Sequence, residues 1–313
     1  MTLHPQAVAA LEEWSRGPKV TDPGFGPEDI EAKRAEARAL AADEAREPVE
    51  RAEDLDVDGV PCRVYVPEAG TEAGTEAGTD AGTDPSRLLV FLHGGGFVFG
   101  DLETHDGQSR RLANRTGSTV LTVGYRRPPE HRFPAAPDDV DTVLRWVGAH
   151  GSGLGLDPRR VVAVGDSAGG NLALVAALRN RGVLAACVLV YPFVDSAMAG
   201  ASYAADDGGL TRGEAAWYWV QYARDADDLA DPDLTPIRSD RLGTLPVTLL
   251  QIAEHDVLAD EDAELARLIA SAGGEVQVTT YPGMIHGFWR HPELFDAAED
   301  ALAEVARFVA THV

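Results

Sequence analysis

From residue 88 onwards the chain is punctuated by short runs of apolar and β-branched residues: Leu88 to Leu92, Thr119 to Val123, Val161 to Val164, Ala185 to Tyr191, Val247 to Ala253 and Val276 to Tyr281. Most of these runs reserve no polar face for water, so they predict strands buried on both sides. Between them lie helix-length segments, among them Gln108 to Arg115, Pro137 to Ala149, Asn171 to Asn180 and Asp260 to Ala272. Strands alternating with helices predict a mostly parallel α/β sheet with helices on both faces. Ligands of such sheets sit beyond the carboxyl ends of the strands, which directs attention to the residues that follow each run.

Four segments stand outside this alternation. Residues 1–50 predict two helices, one opened by Pro5 and stopped at Gly17-Pro18, the other from Glu28 to about Glu44 and ended before Pro48. Val57 to Val66 then reads as a strand with a turn at Asp58-Gly59. Residues 70–84 repeat Ala-Gly-Thr-acid with no large apolar side chain, and predict a solvated, mobile hairpin extension. Residues 198–242 are rich in Asp, Gly and aromatics and read as helix and loop. Together with the N-terminal helices they would form a cap over a core made of residues 51–197 and 243–313.

Composition narrows the chemistry. The 313 residues carry 51 acidic against 27 basic side chains, a net charge of −24. That balance, with no basic stripe, argues against nucleic acid as a partner and disfavours anionic substrates unless a local pocket reverses the field. Only Lys19 and Lys33 are lysines, which decides nothing about mechanism. Cys62 and Cys187 lie in apolar, strand-like stretches and read as buried free thiols. No C-x-x-C or Cys/His cluster is present, so no metal and no cofactor is expected. The first sixteen residues lack the basic-then-apolar order of a signal peptide, and the longest apolar stretch, Val183 to Val194, is too short for a bilayer. The expectation is a cytoplasmic protein without stable membrane insertion; a homodimer is one assembly open to it.

Two glycine-rich segments carry the candidate chemistry. Gly165-Asp166-Ser167-Ala168-Gly169-Gly170 follows the Val161 run and precedes a helix. This is G-x-S-x-G in the strand-turn-helix setting of a nucleophile elbow, where the turn is too sharp for side chains at Gly165 or Gly169. His93-Gly94-Gly95-Gly96-Phe97 follows the Leu88 run. Backbone freed of side chains can bring N–H groups to a developing oxyanion, with Gly95, Gly96 and Ala168 as donors. A phosphate cradle is the competing reading, but the G-x-x-x-x-G-K-[ST] lysine is missing.

A serine nucleophile needs a base, and the base an orienting carboxylate. Of nine histidines, His286 lies in a small glycine-containing loop after the last predicted strand. His4, His150, His291 and His312 read as helix or surface residues, and His105 and His131 as residues of polar loops. Chains of this architecture run Ser, Asp/Glu, His, which makes Asp256, just after the Val247 run, the leading acid and Asp195 its rival. Asp260 and Glu261 read as charges favoured at a helix N-terminus.

Several motifs in register resemble the bacterial hormone-sensitive-lipase-like esterases of the α/β-hydrolase fold: His93 to Phe97; Tyr125 with Pro129-Glu130-His131 and Phe133-Pro134-Ala135; Gly165 to Gly170; Tyr191-Pro192; Asp256-Val257-Leu258 with Asp260-Glu261; and Tyr281 to Phe288. The resemblance implies a triad of Ser167, Asp256 and His286, an oxyanion hole at Gly95, Gly96 and Ala168, and a cap from the N-terminal helices and residues 198–242. It implies hydrolysis of small, neutral, short- to medium-chain acyl esters through an acyl-enzyme. An amidase or deacetylase using the same triad is the alternative, and a non-catalytic ligand receptor the third reading. The sequence departs from the family at Gly124-Tyr125-Arg126-Arg127-Pro128-Pro129-Glu130 and at Val257 after the acid, which bears on pocket shape. Phe97, Trp217, Trp219 and Trp289 are the expected substrate walls.

Overall fold

A computed structural model describes residues 2–68, 83–205 and 208–313. Two helices come first, α1 (Pro5–Trp14) and α2 (Pro27–Asp43). The 57–66 segment belongs to a hairpin of β1 (Arg51–Val57) and β2 (Val60–Val66). Asp58 and Gly59 both take positive φ, 51° and 90°, as a two-residue turn between twisted antiparallel strands requires. β1 begins before the predicted strand because an edge strand with the sequence Arg-Ala-Glu-Asp-Leu-Asp-Val lacks an apolar run.

The remaining elements alternate: β3 (Leu88–Leu92), α3 (Asp106–Thr116), β4 (Thr119–Val123), α4 (Ala135–His150), β5 (Val161–Asp166), α5 (Ala168–Arg179), β6 (Ala186–Val190), α6 (Arg212–Tyr222), β7 (Val247–His255), α7 (Ala259–Ser271), β8 (Val276–Ile285) and α8 (Asp296–His312). They form one eight-stranded sheet of order β1-β2-β4-β3-β5-β6-β7-β8. β1, β2 and β4 pair antiparallel, and every other pair is parallel. β4 lies between β2 and β3, so those two strands are not neighbours in the sheet. Of the 70–84 repeat, residues 70–82 lie outside the described residues.

Side chains alternate through the buried strands and build two cores. Leu88, Val90 and Leu92 join Ala163, Leu189 and Leu250 beneath α4, α5 and α7. Leu89 and Phe91 join Val162, Val188 and Leu249 on the opposite face, with α3 and α8. α8, which was not among the segments singled out from the sequence, buries Ala298, Ala301, Leu302, Val305, Phe308 and Val309 at helical spacing. The first helix turns Ala7 and Ala10 into that second core and is tied to β8 by His4 N–H donating to Gly283 C=O at 3.0 Å. Among the described residues no helix is long and apolar enough to cross a membrane.

Candidate active site

Ser167 is the single residue between β5 and α5, held at φ 56° and ψ −120°. A non-glycine residue adopts this conformation only when its surroundings over-determine it. Three backbone bonds do so: Ser167 N–H donates to Val190 C=O of β6 at 2.8 Å, and Ser167 C=O accepts from Asn171 of α5 at 3.1 Å and from Phe193, just after β6, at 3.2 Å. The flanking glycines are steric necessities. A Cβ at Gly165 would run into the carbonyl of Gly169, and one at Gly169 into the carbonyl of Leu92.

The three candidate side chains converge. Ser167 Oγ lies 2.9 Å from His286 Nε2, and His286 Nδ1 lies 2.6 Å from Asp256 Oδ2. The second carboxylate oxygen accepts the N–H of Leu258 at 3.1 Å. An ionised carboxylate only accepts, so Nδ1 carries the proton and Nε2 presents its lone pair to the serine hydroxyl. Asp256 has a side-chain exposure of 0%, which removes competition from water. Both β7 and β8 run further than the apolar runs suggest, to His255 and Ile285, so Asp256 and His286 each follow a strand directly. Asp195 turns elsewhere: its Oδ1 accepts from Ala197 N–H at 3.0 Å.

The glycine loop after β3 is anchored from below. His93 is fully buried, stacks on Tyr125 with ring centroids 4.3 Å apart, and its carbonyl accepts the Tyr125 hydroxyl at 2.7 Å. Burial pushes the His93 imidazole down to about 3, so it stays neutral. Gly94 N–H donates to Asp166 Oδ1 at 2.9 Å, joining the loop to the elbow. Beyond it Gly95 and Gly96 take φ of 111° and 59°. The N–H of Ala168, at the first position of α5, is one of the four that a helix leaves without an internal acceptor.

Ser167, His286, Gly95 and Gly96 open onto one cavity of about 250 Å³. The expected aromatic walls do not line it. Phe97 is buried and stacks on Tyr222 at 3.8 Å; Trp219 packs against Phe97 and Phe193; Trp289 is buried beneath Phe91. Trp217 contacts Phe25, Phe99 and Tyr218. The lining comes instead from Trp14, Tyr191, Phe193, Leu210 and Tyr218, with Asp166, Glu214, Arg290 and His291 as its charged or polar groups. His291, read as a surface residue, is therefore a wall residue; Arg290 and His291 sit four and five positions after His286, a signal the strand-end rule could have used. His105, assigned to a polar loop, is buried and stands 5.0 Å from the His93 ring.

Glu261 is likewise no surface charge. It is buried, accepts from the backbone of Val194 at 2.8 Å and Asp195 at 3.2 Å and from the Tyr203 hydroxyl at 2.8 Å, and burial pushes its carboxyl up to about 8. Among the described residues no group of three or more His, Cys, Asp or Glu is placed to hold a metal ion.

An elbow serine facing an imidazole–carboxylate pair at the carboxyl edge of this sheet marks a serine hydrolase of α/β-hydrolase architecture. Comparison with known proteins narrows the class. The alpha/beta hydrolase fold family matches over residues 89–290. Ethyl acetate hydrolase from Pseudomonas putida is 33% identical over the whole of both chains. Carboxylesterase NlhH from Mycobacterium tuberculosis is 34% identical, covering 87% of this chain and 86% of its own. The solved hyperthermophilic esterase from Pyrobaculum calidifontis superposes with a TM-score of 0.86 at 32% identity, covering 99% of each chain. This chain belongs to the hormone-sensitive-lipase-like esterases of the α/β-hydrolase fold.

Proposed function

We propose that the protein is a carboxylesterase whose nucleophile is Ser167. The supporting observation is the unbroken relay from Ser167 Oγ through His286 to Asp256, at 2.9 and 2.6 Å, facing an open cavity. His286 Nε2 takes the serine proton as Oγ attacks the ester carbonyl, and Asp256 stabilises the imidazolium that forms. Negative charge on the former carbonyl oxygen is met by the N–H groups of Gly95, Gly96 and Ala168. The imidazolium then gives its proton to the leaving alkoxide. A water deprotonated by the same nitrogen attacks the acyl-serine, and collapse of that second tetrahedral intermediate returns the proton to Ser167.

The cavity, about 250 Å³, is somewhat smaller than the roughly 300–1,000 Å³ of pockets that hold drug-sized ligands. That space suits small neutral esters, with acyl groups at the short end of the short-to-medium range. The −24 net charge raises the cost of bringing in an anion. Turnover of a p-nitrophenyl ester series from acetate to decanoate tests the assignment. Purified, folded Ser167→Ala is expected to lose nearly all activity and to form no adduct with an organophosphate, whereas the parent gains one phosphoryl mass at Ser167. An active Ser167→Ala protein would refute it.

A further inference from the structure

Arg34 belongs to α2, in the N-terminal segment, yet its side chain is only 5% exposed and all three guanidinium nitrogens are engaged. Nε donates to Val98 C=O at 3.0 Å, and Nη2 donates to Pro128 C=O at 2.7 Å. Nη1 and Nη2 donate to the Glu130 carboxylate at 2.8 and 3.2 Å. An apolar side chain would fasten a helix to the body without desolvating a charge. The charge therefore calls for a second reason, and the Val98 carbonyl supplies one.

The peptide joining Val98 to Phe99 accepts from Arg34 at its oxygen and donates at its nitrogen. Phe99 N–H gives its hydrogen bond to Gly95 C=O at 2.7 Å, beside a second one from Val98 N–H at 3.1 Å. The Gly95 carbonyl is in turn the oxygen of the peptide whose nitrogen is that of Gly96. Neither Gly95 nor Gly96 donates its N–H to another group among the described residues. Two peptide units thus stand in series between the guanidinium and Gly96 N–H. A cation at a peptide oxygen draws electron density from the nitrogen and makes its N–H a better donor, and successive hydrogen bonds pass the effect along.

We propose that Arg34 is a positioning residue for the reaction: it fixes and polarises the Gly95–Gly96 peptide, so that Gly96 N–H meets the oxyanion as a strengthened donor. This rests on the ester-hydrolase reading above. One oxyanion donor contributes about 10²–10³ in kcat, and polarisation strengthens a hydrogen bond by about 10–30%. Taken on the logarithmic scale, the share due to Arg34 is about twofold to eightfold.

The test compares inhibition by trifluoromethyl propyl ketone and methyl propyl ketone. Ser167 Oγ adds to the first, its proton passes to His286 Nε2, and the carbonyl oxygen becomes an oxyanion in the hole. The second binds without adding. The ratio of the two inhibition constants, taken on one sample, does not depend on how much protein is folded. Arg34→Met is expected to reduce the advantage of the trifluoroketone about twofold to eightfold, and to lower kcat on p-nitrophenyl acetate by a similar factor with KM little changed. Arg34→Lys keeps a charged donor and retains part of the advantage. Arg34→Gln is read in the same way as Arg34→Met, so that an insoluble methionine variant leaves the question decidable. Arg38, one turn further along α2, donates to Asp101 at 2.6 Å; Arg38→Gln loosens the same helix and should keep the parental ratio. A parental ratio in Arg34→Met or Arg34→Gln, or an equal fall in Arg38→Gln, would overturn the proposal. With Ser167→Ala inactive, such a result removes the role of Arg34 alone; an active Ser167→Ala protein defeats the ester-hydrolase reading itself.

Discussion

Replacing Asp256 by Asn changes one atom and isolates what the carboxylate does. In the parent, both oxygens accept: Oδ2 from His286 Nδ1–H at 2.6 Å and Oδ1 from Leu258 N–H at 3.1 Å. Asparagine has one acceptor and two donors, so it cannot serve both partners. With its oxygen toward His286, the amide group would face Leu258 N–H, and two donors would oppose each other in a site closed to water. With its oxygen toward Leu258, the amide donates to His286 Nδ1, which the imidazole accommodates by moving its proton to Nε2. The second arrangement keeps one more hydrogen bond and therefore dominates. It leaves one amide hydrogen unmatched, for a stability loss of about 1–3 kcal/mol.

The cost to chemistry is far larger. A proton on Nε2 points at Ser167 Oγ, and the base can no longer accept. By this tautomer argument kcat falls about 10⁴-fold, which corresponds to about 5 kcal/mol of barrier. Initial rates with p-nitrophenyl acetate measure kcat, and urea unfolding of the same sample measures stability. The expected signature is a folded protein with a small loss of stability and a very large loss of turnover. Turnover within tenfold of the parent would refute the argument, because it would mean that the acid does not act by fixing the tautomer.

Gly165→Ala and Gly169→Ala each drive a Cβ into a backbone carbonyl that cannot yield; a stability loss of about 3 kcal/mol or insoluble expression is expected, read by urea unfolding. Trp289→Ala empties a buried site in the second core and should cost about 3–5 kcal/mol, while organophosphate titration of the folded fraction stays stoichiometric. Tyr218→Ala removes a ring that lines the cavity and should move the acyl-length optimum toward longer esters, whereas Trp217→Ala should leave that optimum where it is. Glu261 has its carboxyl raised by burial, so its stabilising contribution is full below the ordinary glutamate range and is lost as pH rises through about 8. The Glu261→Gln variant lacks that titration and should gain stability relative to the parent between pH 5.5 and 8.5, measured as the difference in urea midpoint.

The sheet and the convergent triad were legible because they depend on local patterns. A strand buried on both faces needs an apolar run, and the runs at Leu88, Thr119, Val161 and Ala185 each became a strand within two residues of the expected ends. The elbow demands glycine where backbone carbonyls approach, and those glycines stand in the sequence at fixed distances from the serine. Strand ends were less legible. β8 continues through Pro282 and Gly283 to Ile285, past an irregular register with β7 near Ala253 and His255, because pairing with its neighbour overrides the local turn signal. Glu261 was misread since an acid in the first turn of a helix is favoured whether it meets water or, as here, the backbone of Val194 and Asp195.

The cavity walls illustrate a different kind of limit. Trp217, Tyr218 and Trp219 are consecutive on α6, and each residue advances about 100° around a helix, so only a narrow range of rotation puts any one of them over Ser167. The middle one faces the site: a Cβ at Gly96 would collide with its ring. What fixes that rotation is distant in sequence. Arg132 Nη1 donates to Val220 C=O at 2.9 Å, Phe133 N–H donates to Tyr222 C=O at 2.9 Å, and Phe97 stacks on Tyr222. The glycine loop and the residues after Pro129 thus set the roll of α6, and with it the shape of the cavity. Aromatic residues on all sides leave no periodicity from which the sequence alone could have chosen among the three. By contrast, Ser167, Asp256 and His286 are placed by the sheet itself, each one residue past the end of a strand, although β7 and β8 reach those ends beyond their apolar runs.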